Sequence, residues 1–477
     1  MGPKLAIRAS ASNHRVELTA ALALLCLYLA VMNGHSISID GLVAWRQALA
    51  LTYHHSWSLV PPIWWGDGIS SSYRGVGASL QYVPSLVLFW WMSGHVPVQA
   101  GQTYDFRIFY DDVLYLVAGA PVWAVVAAVT AYVVALVARA VGMARREALW
   151  AMAFFGIGSP ALAASRGDWA QPLVALCWAV GLFAMLRYNS VGSRRWLWVS
   201  AACITYGVLT RPLEGSFLLP AVLVLLLPAW KRNLGAGISQ VGAWLAGVGI
   251  TLLLNGVRFG SPLNFGNPTT TGWTTPIWVG FPGALLSPGR GVLWEFPALP
   301  LAVVGSVLLW RAGKRWEVGA VAGLAIVLFL EACLFTDWVG GWDWGFRYFQ
   351  PAFPLVAVLA GAGVGALRGR AGRLVPGALV ALGLVWNVPA VATDLLAGYG
   401  HAYVTAASNW QLDAYPPLGA WRFLHRVFPA AKGAGGVDIV WFRATRVAGA
   451  AAMVPFAVLL AASAWLWRSA LRTSETA

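Results

Sequence analysis

Asp40 is the first carboxylate beyond the first long apolar run of the chain, flanked by Ile39, Leu42 and Val43 and followed six residues later by Arg46. An ionised carboxylate in apolar surroundings is costly unless paired, and the cost raises its affinity for a proton. At the end of a membrane-crossing segment, such a group suits a general base that takes a proton from a hydroxyl. A second reading makes Asp40 the N-cap of a short helix over Gly41–Leu51, since Asp readily accepts from first-turn N–H groups.

Two later segments add cations and aromatic rings. Leu286-Ser-Pro-Gly-Arg290-Gly-Val-Leu-Trp294 sets a glycine-flanked arginine just before an apolar run. Glycines permit close backbone approach and the guanidinium is a forked donor, so together they suit a phosphate. Asp337 to Pro351 carries Trp342, Asp343, Trp344, Arg347 and Tyr348 around paired glycines. Its rings could stack on sugar faces and Asp343 could hold hydroxyls, whereas a membrane-interface belt explains only the Trp and Tyr.

Smaller turns repeat the theme. Ser165-Arg166-Gly-Asp168-Trp offers Asp168 either to a substrate or to its neighbour Arg166, and Thr210-Arg211-Pro-Leu-Glu214 offers Arg211 with Glu214 as an internal ion pair. Asp111 and Asp112 read as N-caps of the second apolar run. No metal-ligand motif is present: His54-His55 is isolated, and the chain has no HExxH, no Asp-x-Asp in the first loop, no Walker loop and no Gly-x-Ser-x-Gly elbow. A divalent metal therefore stays possible without a ligand motif to support it.

The elements that must position these residues are membrane helices. Charged residues make up 10% of the chain and apolar ones 59%, against roughly 25% charged in a soluble domain, and the mean hydropathy is +0.67. Runs of about 20 apolar residues cross the hydrocarbon layer, and twelve are placed near 17–36, 114–138, 147–164, 170–187, 196–213, 216–230, 237–256, 292–310, 317–336, 351–368, 373–392 and 447–467. The poor cleavage site at Asn33–Ser36 makes the first an uncleaved helix. Basic clusters at Lys4/Arg8/Arg15, Arg139/Arg145/Arg146, Arg187/Arg194/Arg195, Lys231/Arg232, Arg311/Lys314/Arg315, Arg368/Arg370/Arg373 and Arg468/Arg472 fall on one side. That side is the cytoplasm and holds both termini.

The net charge of +14 thus sets topology and does not point to nucleic acid. All long loops lie opposite, the first running from about 37 to 113. Within it, Gly77–Trp91 is apolar but too short to span, so it lies along the interface or dips into it. The expected organisation is a transmembrane module over 1–392, an outer segment over 393–446, and a last helix with its tail over 447–477. Cys26, Cys177, Cys203 and Cys333 all lie in apolar runs and form no disulfide framework.

An acidic residue after the first span, a long outer loop with horizontal helices, many spans and a C-terminal outer segment together resemble the GT-C superfamily of polytopic glycosyltransferases. The likeness is to those using polyprenyl-phosphate sugars, such as bacterial aminoarabinose and arabinofuranosyl transferases and protein O-mannosyltransferases. The segments Ser287-Pro-Gly-Arg-Gly291 and Gly340-Gly-Trp-Asp-Trp-Gly-Phe-Arg-Tyr348 look like those of bacterial members. The Asp-x-Asp and Asp-Glu signatures of some GT-C families are missing.

The resemblance implies an all-α polytopic fold of about twelve transmembrane helices, with horizontal helices in a long first periplasmic loop, in the bacterial inner membrane. It implies a polyprenyl-phosphate-linked sugar as donor and a lipid, glycan or protein hydroxyl as acceptor, on the extracytoplasmic face. A phosphate leaving group needs no general acid, so the chemistry calls for a base and for cations around the departing phosphate. Asp40 fills the first role. Arg290, Arg347 and, more weakly, Arg211 fill the second, with Asp168, Trp342, Asp343, Tyr348 and Arg46 holding sugar or acceptor. A single base attacking in line would invert the anomeric centre. A twelve-helix transporter or lipid flippase is the competing reading, but such carriers place charges near mid-membrane and show two similar halves. Here Glu331 is the main intramembrane exception. A non-catalytic scaffold, the third reading, would not need so many outward arginines and carboxylates.

Overall fold

The computed structural model of the chain describes residues 14–35, 38–59, 75–93, 114–167, 169–266, 272–340, 344–393, 410 and 437–476. In chain order the helices are α1 (Arg15–Val31), α2 (Ile39–Tyr53), α3 (Val76–Leu80), α4 (Val83–Ser93), α5 (Ala120–Ala140), α6 (Arg145–Gly156) and α7 (Ala161–Ala164). Then come α8 (Gln171–Val191), α9 (Arg194–Thr210), α10 (Pro212–Ser216), α11 (Leu218–Leu226), α12 (Trp230–Phe259), α13 (Ile277–Leu286) and α14 (Val292–Glu295). The last are α15 (Leu299–Arg311), α16 (Arg315–Leu334), α17 (Phe353–Val364), α18 (Ala371–Ala392), α19 (Val440–Ala448) and α20 (Met453–Thr476). Among the described residues the one β feature is an isolated antiparallel bridge from Thr393 to Val437.

Helix occupies every one of the twelve expected apolar stretches. Seven helical stretches among the described residues are long and apolar enough to cross a membrane alone, including Tyr115–Ala140, Asn233–Phe259 and Gly449–Thr473. The others are shorter or broken, each for a visible reason. The expected 147–164 run stops at Gly156 and resumes after Ser159-Pro160, because Pro cannot continue the hydrogen-bond ladder. The 292–310 run is split at Pro297 into α14 and α15. Arg211 breaks the apolar stretch over 196–230, and Pro212 restarts it as the first residue of α10.

Every residue of α17 is buried, so it forms the axis of the core. It packs against α15, α6 and α5. Small residues permit this: a Cβ on Gly305 would meet the Leu359 carbonyl oxygen at 1.8 Å, and one on Gly363 the Leu301 carbonyl oxygen at 2.1 Å. At the periphery α12 and α20 turn Leu245, Leu253, Val257, Val454, Val458 and Trp465 outward. Such apolar faces cost about 25 cal/mol per Å² in water and nothing comparable in lipid. The apolar Gly77–Trp91 stretch folds as α3 and α4, and α3 abuts the end of α9 at Thr210.

Candidate functional site

The helix carrying Asp40 begins two residues earlier than the capping alternative required. Ser38 is the N-cap of α2, its Oγ accepting from the Gly41 N–H at 2.9 Å. Asp40 therefore stands inside the first turn, where the partial positive charge of the helix start favours a carboxylate. An aromatic nest fixes α2 in place. Trp45 packs edge-on against Tyr82 at 5.2 Å and Tyr115 at 5.1 Å. The Trp123 indole N–H donates to Tyr82 Oη at 2.9 Å, and Tyr53 Oη donates to the Leu86 carbonyl at 2.9 Å. Arg46, expected to face sugar or acceptor, is on the same helix but only 5% exposed.

Arg347 meets Asp40 from the far side of the sequence. Its Nη1 lies 3.8 Å from Asp40 Oδ2, and the two side chains are 16% and 15% exposed. That is an ion-pair distance and longer than a hydrogen bond, and the two charges share a largely buried space. Arg347 Nη2 also donates to Tyr348 Oη at 3.3 Å, with its guanidinium 5.1 Å from the Tyr348 ring centre. Arg347 heads a 3-10 turn, Arg347–Ala352, that runs directly into the buried α17. The rigid core thus presents it.

Two fully buried charges hold the segment just before Arg347. Arg290 Nη1 donates to the Gly345 carbonyl, and Glu295 Oε2 accepts from the Phe346 N–H at 2.9 Å. Both side chains belong to residues that are 0% exposed. Gly345 is required between them: its φ is +73°, and a Cβ there would lie 2.7 Å from Glu295 Oε2. Asn387 Nδ2 steadies the other end of this support, donating to the Glu295 carbonyl at 3.4 Å. The sequence expectation put Arg290 on a donor phosphate. The structure buries it behind the loop that carries Arg347.

Beside this pair opens a cavity of about 350 Å³, lined by Gly75, Thr210, Arg211, Pro212, Leu213, Glu214, Phe265, Glu331, Phe335 and Tyr348. Arg211 pairs with Glu214 through both Nε and Nη2, the internal ion pair that its turn suggested. Glu331 Oε1 accepts from the Trp273 indole N–H at 2.9 Å. Tyr348 belongs to both places: its hydroxyl touches Arg347 and it lines the cavity.

A second cluster lies at the base of the first loop. Asp438 accepts from His35 Nε2 at 2.9 Å and from Arg166 Nη2 at 2.6 Å, and Arg443 Nη1 stands 3.6 Å from it. Burial pushes the Asp438 carboxyl up, but His35, Arg166 and Arg443 outweigh burial and hold it below the ordinary carboxylate value. Arg166 also donates to the carbonyls of Ala390 and Val391 at the end of α18. Asp168, the partner that the turn suggested for Arg166, lies outside the described residues.

Asp168, Trp342 and Asp343 lie outside the described residues. Among the expected set, the structure brings Asp40, Arg347 and Tyr348 together, with Arg211 across the cavity. Glu295 and Asp438 went unnoticed in the sequence. A carboxylate within an otherwise apolar stretch was the available signal for Glu295. For Asp438 the flanking Val437, Ile439 and Val440 gave a similar but weaker one. Among the described residues, no group of three or more His, Cys, Asp or Glu side chains is placed to hold a metal ion.

No protein-family model matches the chain, and no curated protein matches it in sequence. Solved structures do. The chain superposes on ArnT from Cupriavidus metallidurans in the apo state with a TM-score of 0.55 at 16% identity, covering 98% of this chain and 76% of that one. The same enzyme bound to undecaprenyl phosphate gives a TM-score of 0.53 at 14% identity over 96% of this chain and 75% of that one. The chain shares its fold with ArnT. At this identity the likeness is one of architecture. Together with the apolar helices and their outward apolar faces, it makes the chain an integral membrane protein.

Proposed function

We propose that the chain is a GT-C glycosyltransferase that moves a sugar from a polyprenyl-phosphate donor to an acceptor hydroxyl. The reaction takes place on the extracytoplasmic face of the bacterial cytoplasmic membrane, with twelve spans and both termini inside. The observation that carries this reading is the meeting of Asp40 and Arg347 at 3.8 Å on a GT-C fold. One of the similar structures, ArnT, is bound to undecaprenyl phosphate, the kind of lipid carrier the reading requires.

The chemistry follows from the pair. The acceptor oxygen attacks the anomeric carbon, and its proton passes to an Asp40 carboxylate oxygen. The bond from the anomeric carbon to the phosphate oxygen breaks, and the electron pair stays on the phosphate beside Arg347. In-line displacement inverts the anomeric centre. With no donor bound, Arg347 keeps Asp40 paired. The anionic phosphodiester of an arriving donor, which joins lipid to sugar, draws the guanidinium to itself, so Asp40 loses its cation when a proton must be taken. Arg290 and Glu295 act through the loop that carries Arg347. Asp168, Trp342 and Asp343 remain part of the proposed acceptor side.

The test is reconstitution of the chain in liposomes with undecaprenyl-phosphate glucose, mannose and arabinose in turn, and a membrane glycolipid extract as acceptor. Appearance of undecaprenyl phosphate together with labelled glycolipid supports transfer. Movement of intact donor across the bilayer, without either product, would instead identify a flippase.

A further inference from the structure

We infer that the cavity between α10 and α16 is the subsite for the sugar of the donor, read by Glu331; this rests on the glycosyl-transfer reading above. The wall chemistry decides among the parts of such a donor. A polyprenyl tail has no use for a lining with three charged groups. A phosphate needs a net positive wall, but among the described residues lining the cavity two carboxylates, Glu214 and Glu331, face one guanidinium, Arg211. Glu214 already pairs with that guanidinium. The remaining carboxylate of Glu331 repels phosphate and suits sugar hydroxyls, which donate to it in charge-assisted hydrogen bonds.

Geometry agrees with chemistry. The cavity of about 350 Å³ lies at the small end of the ~300–1,000 Å³ range of ligand pockets, room for one sugar ring. Phe265, Phe335 and Tyr348 supply apolar faces on its wall, and Phe335 and Tyr348 brace each other edge-on at 5.2 Å. Glu331 is aimed by the Trp273 indole at 2.9 Å. The segment that brings Trp273 there is tied down by backbone bonds, Thr275 N–H to the Leu334 carbonyl at 3.1 Å and Thr336 N–H to the Gly272 carbonyl at 2.7 Å. The order Arg347, Tyr348, Glu331 then matches the order phosphate, linkage, sugar, with Tyr348 at the border of both places.

The experiment compares wild type with Glu331→Gln, which can still accept from Trp273, and Glu331→Asp, which keeps the charge but shortens its reach. Binding of undecaprenyl phosphate and of undecaprenyl-phosphate glucose, mannose and arabinose is measured in nanodiscs. The expected result is that Glu331→Gln weakens the best-bound sugar donor about tenfold or more and leaves bare undecaprenyl phosphate within about twofold, with Glu331→Asp between. Equal weakening of both ligands, or of neither, overturns the sugar subsite while leaving glycosyl transfer standing. A wild type that binds neither the bare lipid nor any sugar donor removes the transfer reading, and the subsite falls with it.

Discussion

Arg166 Nη2 and Asp438 Oδ2 lie 2.6 Å apart, joining the turn after α7 to the approach to α19 across 272 residues of sequence. His35, five residues before Asp40, shares the same carboxylate. The network therefore anchors the start of the first loop to the far end of the chain, with Thr393 and Val437 bridging alongside.

Neutralising that carboxylate removes a counter-charge from the buried Arg166 guanidinium and from the partly exposed Arg443. Asp438→Asn is expected to cost about 3–5 kcal/mol of stability, measured by thermal melting in detergent near neutral pH. Because the folded carboxyl titrates below its unfolded value, its contribution is fully present above about pH 4. It is lost as the pH falls through the folded value. The gap between wild-type and Asp438→Asn melting temperatures should therefore close below about pH 4, and a gap that widens there contradicts the network.

Arg290 is expected to behave as a support. Arg290→Gln removes a charged donor from the Gly345 carbonyl in a fully buried place, for a loss of about 2 kcal/mol in stability along with reduced transfer. A direct phosphate ligand at an open site would lose donor affinity with an unchanged melting curve. The paired readout of melting and donor binding separates the two.

Gly345→Ala offers a sharper probe of the same loop. The added Cβ meets Glu295 Oε2 at 2.7 Å in a backbone conformation with φ of +73°, a strain of about 1–3 kcal/mol. Because Arg347 follows two residues later, transfer should fall by about a hundredfold if its guanidinium shifts by ~1 Å. Full transfer by a folded Gly345→Ala would show that the loop does not set Arg347.

Much of this was legible in one sequence because membrane helices declare themselves by composition. The apolar runs each fell on helix but missed α13 (Ile277–Leu286), and Asp40, Arg347 and Tyr348 stood out as polar groups beside apolar ones. Breaks within runs were harder, since Pro160 and Pro297 end helices without changing hydropathy. The place of Arg290 was hidden because a buried arginine that donates to a distant carbonyl, Gly345, looks the same in sequence as one facing an open site. The capping of α2 turned on Ser38, whose hydroxyl takes the Gly41 N–H two residues before the Asp40 that the sequence also offered as cap. The long-range partners His35, Arg166 and Asp438 carry no shared motif, so only the fold joins them.

The most direct test is the rate of sugar transfer by Asp40→Asn, set beside Ser38→Ala. Removal of the Ser38 cap should cost about 1 kcal/mol in stability and leave transfer nearly intact. Asp40→Asn keeps the shape of the side chain and removes the base, so transfer should drop by about 10²–10⁴-fold with donor binding retained. Undiminished transfer by Asp40→Asn would contradict the account at its centre.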